Sequence, residues 1–183
     1  MESKHQTIHK YLINRSQRGD RKAQSELYKL YVDAMYNICR RMMGDSEEAK
    51  DILQDAFIHA FTKLKTLKEE RMFSSWLKRI VVNHCLNALK KRKDFAMSDD
   101  IIEDIPIENE ESKTDVFNYQ INQVMLALDK ISVGTRTVLN LYVFEGYDHK
   151  EIVQILSISE SASKSQYSKA KSKIRELIAI ENN

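Results

Sequence analysis

The chain is poor in the two residues that most often interrupt helices and build turns. Its 183 residues include four glycines and one proline, whereas average usage gives roughly 12% for the two together. Folds made only of β-strands need many Gly- and Pro-rich turns, so they are nearly excluded. Because 42% of the residues are hydrophobic and 31% are charged, the chain has enough apolar content for a core. The sequence therefore predicts an all-α protein.

The few glycines mark the places where helices join. Gly19, Gly44 and Gly146 each stand shortly before an aspartate that can cap a following helix. Gly134 precedes Thr135, where another helix is predicted to begin. Between these joints, the apolar periodicity predicts helices at about 6–18, 21–43, 46–66, 73–93, 117–131, 135–144, 149–156 and 160–179.

The net charge of +2 conceals an uneven distribution. Residues 1–95 carry 20 basic and 12 acidic side chains, residues 96–115 carry one and eight, and residues 116–183 carry eight and seven. The low net charge is therefore no argument against a nucleic-acid partner, because each segment has its own local field. The acidic segment lacks helical periodicity, so we expect two small helical domains, at 5–95 and 116–180, joined by an acidic linker at 96–115.

The C-terminal domain has the spacing of a helix-turn-helix, with a short helix at 149–156, a turn and a long helix from Glu160. Ser163, Tyr167 and Ala170 share the core face of the long helix, and the opposite face carries small hydroxyls and lysines. Such a face suits a major groove and its phosphates, although a solvated face on an interaction helix is the alternative. The predicted DNA-binding residues are Ser161, Lys164, Ser165, Gln166, Ser168 and Lys169.

The helix at 73–93 also separates into two faces. Asn83 and Asn87 lie four residues apart, so they stack on the face opposite the apolar one. Amides can read base edges, an aromatic ring can stack on an unpaired base, and lysines can hold the backbone. On the residues alone, a core tryptophan with solvated asparagines is the simpler interpretation. The candidate residues on this surface are Phe73, Trp76, Arg79, Asn83, Asn87, Lys90 and Lys91.

The preceding helix places an isoleucine on its outward face, beside a pair of carboxylates. Such a patch, with an apolar centre and a polar rim, favours protein docking, and a solvated acidic face is the alternative. The candidate docking residues are Asp51, Gln54, Asp55 and Ile58.

The sequence contains no recognisable catalytic or metal-binding motif. The sequence has no Cys-x-x-Cys spacing, Gly-rich phosphate loop or nucleophile elbow. We therefore expect no enzyme activity, metal, cofactor or small-molecule substrate. Cys39 and Cys85 fall in helical patterns and are expected to be buried thiols. The polar N-terminus and the absence of a long apolar run predict a cytoplasmic protein.

In their order and spacing, these segments resemble the extracytoplasmic-function (ECF) class of bacterial sigma factors, from about Gly19 to Leu177. The segments that carry the resemblance are Gly19-Asp20-x-x-Ala23-x-x-x-Leu27-Tyr28, Asp51-x-x-Gln54-Asp55-x-Phe57, Phe73-x-x-Trp76-Leu77-x-x-Ile80-x-x-Asn83, Glu151-Ile152-Val153 and Ser163-Lys164-Ser165. The run Ser163-Lys164-Ser165-Gln166 is similar to the variant common in Bacteroidetes-type bacteria.

The resemblance implies a partner for each surface. The docking residues would contact the clamp helices of the β′ subunit of core RNA polymerase. The surface with the two asparagines would capture flipped bases of the minus-ten element of promoter DNA. The second helix of the helix-turn-helix would read the minus-thirty-five element, and its domain would sit on the β flap. An anti-sigma protein is a further expected partner.

The chain also departs from the family pattern. The family often has Gly-Thr in place of Ser161-Ala162, Arg in place of Gln166 and Gly in place of Ser157. Two other functions stay open on the sequence. One is a helix-turn-helix regulator that acts without polymerase, and the other is an adaptor that mimics a sigma factor and sequesters an anti-sigma protein.

Overall fold

The structure, a computed structural model, describes residues 4–92 and 116–181. The chain divides into an N-terminal unit that ends at Arg92 and a C-terminal unit that begins at Lys93. All regular structure in the described ranges is helical, which confirms the predicted fold class. The predicted acidic linker at 96–115 lies outside the described residues. None of the helices within these ranges is long and apolar enough to cross a membrane.

Four α-helices build the N-terminal unit. They are α1 (Lys4–Gln17), α2 (Arg21–Met43), α3 (Ser46–Lys63) and α4 (Phe73–Lys91). Two short 3-10 turns, Leu64–Thr66 and Glu70–Met72, connect α3 to α4. Helix α2 packs against the other three, and α3 also packs against α4. The longest helix of this unit is therefore its central element, and α3 and α4 lie side by side.

The predicted helix joints are confirmed at both ends of α2. The Asp20 carboxylate accepts hydrogen bonds from the backbone amides of Lys22 and Ala23, at 2.9 and 3.2 Å. Gly44 ends the helix in the left-handed conformation, with φ of 79°, which glycine adopts without a steric penalty. Asp45 then caps α3 by accepting from the Glu48 amide at 2.7 Å. These local signals fix where the helices begin and end.

The core of the N-terminal unit contains the predicted inward faces of α3 and α4. The buried side chains on these faces are Leu53, Ala56, Phe57, Ala60, Leu64, Leu77, Val81, Val82, Cys85 and Leu89. Cys39 and Cys85 are both fully buried free thiols. The opposite faces of α3 and α4 are thereby left to the solvent.

The C-terminal unit contains α5 (Val116–Asp129), α6 (Val133–Leu139), α7 (His149–Leu156) and α8 (Glu160–Glu181). Helix α8 packs against the other three helices. A cluster of four buried residues from α5, α6, α8 and the turn between α5 and α6 forms part of the core. Its members are Leu128, Ile131, Leu139 and Ala170.

Helix α6 differs from the prediction at both ends. It begins at Val133, two residues before the expected start, and it ends at Leu139. The backbone then widens into a π-turn over Asn140–Phe144, in which the Glu145 amide donates to the Asn140 carbonyl at 3.0 Å. The predicted single helix at 135–144 is therefore a shorter helix followed by a wider turn.

Helices α7 and α8 form the predicted helix-turn-helix. Asp148 and Glu151 make a complete capping box at the start of α7, with both hydrogen bonds at 2.8 Å. The helix ends at Ser157, which has φ of 56° and ψ of 43°. This left-handed conformation favours glycine.

Candidate nucleic-acid interface

Helix α3 presents its predicted docking residues to the solvent. Asp51, Gln54, Asp55 and Ile58 are all exposed, and the Ile58 side chain is 57% exposed. The opposite side of the helix is held by Phe57, whose ring packs edge-on against Tyr28 of α2 with centroids 4.8 Å apart. The surface therefore combines an exposed apolar group with two carboxylates and an amide, on a helix fixed from behind.

Helix α4 carries the second surface. Trp76 is half-buried, and its ring centroid lies 6.0 Å from that of Phe73. The exposed members of the predicted set are Arg79, Asn83, Asn87, Lys90 and Lys91. The amides lie on successive turns, and the two lysines occupy the last turn. The face offers hydrogen-bonding amides, part of an indole ring and positive charge along a single helix.

Phe73 does not belong to that exposed surface. Its side chain is 1% exposed, and its ring packs against Tyr31 and His9, with centroids 5.1 and 5.8 Å away. The hydroxyl of Tyr31 is also hydrogen-bonded to Nε2 of His9. A buried ring cannot stack on a base, so the sequence prediction for Phe73 is wrong. Its spacing of four residues to Leu77 already places it on the core face.

Helix α8 carries the third surface, opposite its packed side. Five of the six predicted residues are exposed, namely Ser161, Lys164, Ser165, Ser168 and Lys169. The ammonium group of Lys164 pairs with Glu160 at 2.7 Å, and this pairing lowers the pKa of the Glu160 carboxyl. Hydroxyls and lysines thus lie along one exposed side of the helix.

Gln166 is the sixth member of the predicted set, and the structure does not place it with the others. Its side chain is 7% exposed, and its amide oxygen accepts a hydrogen bond from the Thr135 hydroxyl of α6. The position lies one turn from both Ser163 and Ala170, which are fully buried. Gln166 therefore belongs to the interior of the C-terminal unit, and its prediction as a DNA contact is corrected.

Comparisons with known proteins bear on these three surfaces. Residues 27–95 match the family model of Sigma-70 region 2, and residues 121–174 match that of Sigma-70 region 4. The first match contains α3 and α4, the second contains α6, α7 and most of α8, and together they cover about two thirds of the chain. The chain belongs to the ECF family of RNA polymerase sigma factors.

The chain is similar in sequence to several named RNA polymerase sigma factors. ECF RNA polymerase sigma factor SigW of Bacillus subtilis is 37% identical over 81 residues, which are 44% of this chain and 43% of that protein. The chain thus spans less than half of that relative in the match. SigM of Mycobacterium tuberculosis is 27% identical over 90% of this chain and 81% of its own length. RNA polymerase sigma-H factor of Pseudomonas aeruginosa is 27% identical over 89% and 90%.

Two solved structures share the fold of this sigma factor. CnrH, in complex with the cytosolic domain of CnrY, matches with a TM-score of 0.53 and 20% identity, over 94% of this chain and 97% of its own. The sigma factor RpoE of Bartonella quintana, in complex with the anti-sigma factor NepR, matches with a TM-score of 0.54 and 19% identity, over 85% and 96%.

A histidine pair joins two surfaces of the sigma factor and was not found from the sequence. His59 of α3 and His84 of α4 approach within 2.9 Å, from Nδ1 to Nε2. His59 follows Ile58, and His84 follows Asn83. Burial lowers the pKa of His84, the neighbouring His59 lowers it further, and Asp55 opposes the shift. The two histidines are 25 positions apart in the chain, which hides the pair from any local pattern.

The sigma factor shows no larger cluster of ligating groups in the part of the chain that the structure describes. Within those residues, no three or more His, Cys, Asp or Glu side chains are arranged to hold a metal ion. The histidine pair is a hydrogen-bonded contact between α3 and α4.

Proposed function

We propose that this sigma factor binds core RNA polymerase and directs promoter-specific initiation through three separate helix faces. The observation that supports this division is the exposure of α3, α4 and α8 on their predicted faces, while their opposite faces build the two cores. The protein supplies binding and promoter selectivity, does no chemistry itself, and acts in the cytoplasm where polymerase is found. Its recognition helix belongs to the Bacteroidetes-like variant.

Helix α3 docks on the clamp helices of the polymerase β′ subunit. An exposed isoleucine such as Ile58 gains free energy when a partner removes it from water. The rim of Asp51, Gln54 and Asp55 contributes hydrogen bonds and charge complementarity, which favour specificity and the association rate. The close packing of α3 on α2 and α4 presents this patch on a rigid support.

Helix α4 captures bases of the minus-ten element. Asn83 and Asn87 expose amides that can hydrogen-bond to the edges of unpaired bases, and the exposed part of Trp76 offers a stacking surface. Arg79, Lys90 and Lys91 contact the phosphate backbone without reading its sequence. Phe73 takes no part in this contact, because it anchors α4 in the core.

Helix α8 reads the minus-thirty-five element. Its five exposed residues lie on the second helix of a helix-turn-helix, which is the element that enters the major groove in this motif. The serines allow close approach to base edges, and Lys164 and Lys169 contact phosphates. The same unit binds the β flap. An anti-sigma protein is a further partner, which the complexes of CnrH with CnrY and of RpoE with NepR support.

In vitro transcription tests this proposal. Core polymerase and the purified protein are incubated with a pool of genomic fragments, and the start sites are mapped by sequencing. We expect start sites that require the protein. Their absence would contradict the proposal, and specific duplex binding without polymerase would favour the regulator. An adaptor would bind an anti-sigma protein and still direct no transcription.

A matched pair of variants tests the docking surface. Ile58→Lys introduces a charge into the proposed patch and should reduce the affinity for core polymerase at least tenfold. Ile8 of α1 is exposed to a similar degree, 55% against 57%, so Ile8→Lys is the control and should retain affinity within twofold. Equal losses in the two variants would show that α3 is not the docking helix.

A further inference from the structure

The recognition helix α8 buries two polar side chains on its packed side. Ser163 is fully buried, and its hydroxyl lies 2.9 Å from Nδ1 of His149 in α7. Gln166, one turn further along, accepts from the hydroxyl of Thr135 in α6. Each of the two residues thus ties α8 to a different helix of the C-terminal unit.

The partners of these two residues are themselves held in place. The His149 ring stacks on Tyr142, with centroids 4.5 Å apart and planes 19° apart, and Tyr142 in turn contacts Tyr167 of α8 at 4.6 Å. The Thr135 hydroxyl also accepts a hydrogen bond from Ser132 at 2.9 Å. A shift of α8 would therefore disturb contacts beyond the two hydrogen bonds.

Buried hydrogen bonds constrain a helix in a way that apolar packing does not. Apolar contacts are non-directional, so a helix can rotate or slide and still keep much of its buried area. A buried polar group that loses its partner remains desolvated and unsatisfied, and this disfavours every other rotation of the helix. At 100° per residue, Ser163 and Gln166 lie roughly opposite Ser161 and Ser168. Fixing the packed side therefore fixes the exposed side.

We propose that the Ser163–His149 and Gln166–Thr135 hydrogen bonds set the rotation of α8 about its axis, and thereby determine which side chains reach base edges. Thr135 and His149 are then positioning residues for promoter selectivity. The inference rests on the proposed function of α8 as the reader of the minus-thirty-five element. Thr135 gives the sharpest test, because it is 8% exposed and lies on α6 rather than on the recognition helix.

The test compares Thr135→Val with Thr135→Ser. Valine keeps the shape and removes the hydroxyl, whereas serine keeps the hydroxyl. Each protein, with core polymerase, transcribes a library whose minus-thirty-five region is randomised and whose minus-ten region is fixed from a mapped start site. We expect Thr135→Val to reduce the preference for the best over the median minus-thirty-five sequence at least fivefold, and Thr135→Ser to stay within twofold of the wild type.

An independent arm examines the other hydrogen bond. His149→Phe keeps a ring against Tyr142 but cannot bond to Ser163, whereas His149→Asn places a polar atom near the position of Nδ1. His149→Phe should lose selectivity, and His149→Asn should recover most of it. This arm decides the question if Thr135→Val does not fold.

The control removes stability without removing a hydrogen bond. Leu139→Val deletes a methylene from the same core, and its melting temperature is compared with that of Thr135→Val. An equal loss of selectivity in Leu139→Val at matched stability would overturn the inference, as would full selectivity in both Thr135→Val and His149→Phe. Transcription that is absent with the wild-type protein would instead overturn the proposed function, and this inference with it.

Discussion

Helix α4 in the N-terminal unit buries apolar side chains from Phe73 to Leu89, whereas α8 in the C-terminal unit buries Ser163 and Gln166 beside Ala170. Both helices present a polar face that we assign to DNA, yet α8 adds buried hydrogen bonds to its apolar packing. Apolar burial stabilises α4 strongly, but it is non-directional and constrains the orientation of the helix less. The buried hydrogen bonds of α8 contribute less to stability, but they are directional and constrain the orientation of the helix. The comparison separates the stability of a DNA-binding helix from the precision of its placement.

Phe73→Ala has the largest expected effect, and it tests whether apolar burial holds α4 in place. Removing a fully buried phenylalanine costs about 3–5 kcal/mol, so we expect the N-terminal unit to lose most of its stability in chemical denaturation. Trp76→Ala should cost less, because Trp76 is only half-buried. A Phe73→Ala protein with unchanged stability and impaired promoter opening would contradict the assignment of Phe73 to the core and indicate that it contacts DNA.

The double change Asn83→Ala with Asn87→Ala separates function from packing on the same helix. Both side chains are exposed, so stability should change by no more than about 0.5 kcal/mol. A base contact is worth about 1–3 kcal/mol, so open-complex formation should fall at least tenfold, while polymerase binding is retained. Asn37→Ala, an exposed asparagine of α2, is the matched control. Parallel loss of polymerase binding would point to misfolding.

The variant Lys164→Gln with Lys169→Gln examines the exposed side of α8. Each lysine that neutralises a phosphate contributes about 0.9 to the slope of log affinity against log salt concentration. We expect the slope for promoter binding by the polymerase complex to decrease by about two. An unchanged slope would show that this side of α8 does not contact phosphates.

Ser157→Gly addresses the turn between α7 and α8. Serine in the left-handed region costs about 1 kcal/mol relative to glycine, so the C-terminal unit should gain up to about that amount. Thermal denaturation measures the gain. Destabilisation would mean that the Ser157 side chain makes a contact worth more than the backbone strain.

The smallest effect concerns His84 and acidic pH. Because the folded state lowers the pKa of His84 below 6.5, the unfolded chain binds the proton first as the pH falls. Stability of the N-terminal unit should therefore decrease from pH 7.5 towards pH 5.5, with a shallower decrease in His84→Gln. Burial lowers the pKa of His9 in the same direction, so part of the decrease should persist. An identical pH dependence in both proteins would contradict this assignment.

The parts of the fold that sequence predicts well are those governed by local chemistry. Asp20, Asp45 and Asp148 cap their helices because the acceptor and its amides are close in the chain. The outward face of α3 follows from helical periodicity, and Ile58 is exposed as expected. A single helix period and a capping residue are sufficient for these features.

Features that depend on distant partners were missed or misassigned. Thr135 and Gln166 are 31 residues apart, and His59 and His84 are 25 residues apart, so no window along the chain contains both members. The π-turn after Leu139 was predicted as helix because no Gly or Pro interrupts the run to Phe144. These features arise from tertiary packing, which overrides local preference.

The buried position of Gln166 also limits how promoter preferences can be inferred for proteins of this kind. A recognition code that assigns one base to each position along α8 would count residue 166 among the residues that read DNA. In this protein the Gln166 side chain instead points inward and accepts a hydrogen bond from the Thr135 hydroxyl of α6. If this hydrogen bond sets the rotation of α8, as we propose, two sigma factors that differ at this position differ in the angle at which the whole helix meets the groove, and with it in every base that the helix reads.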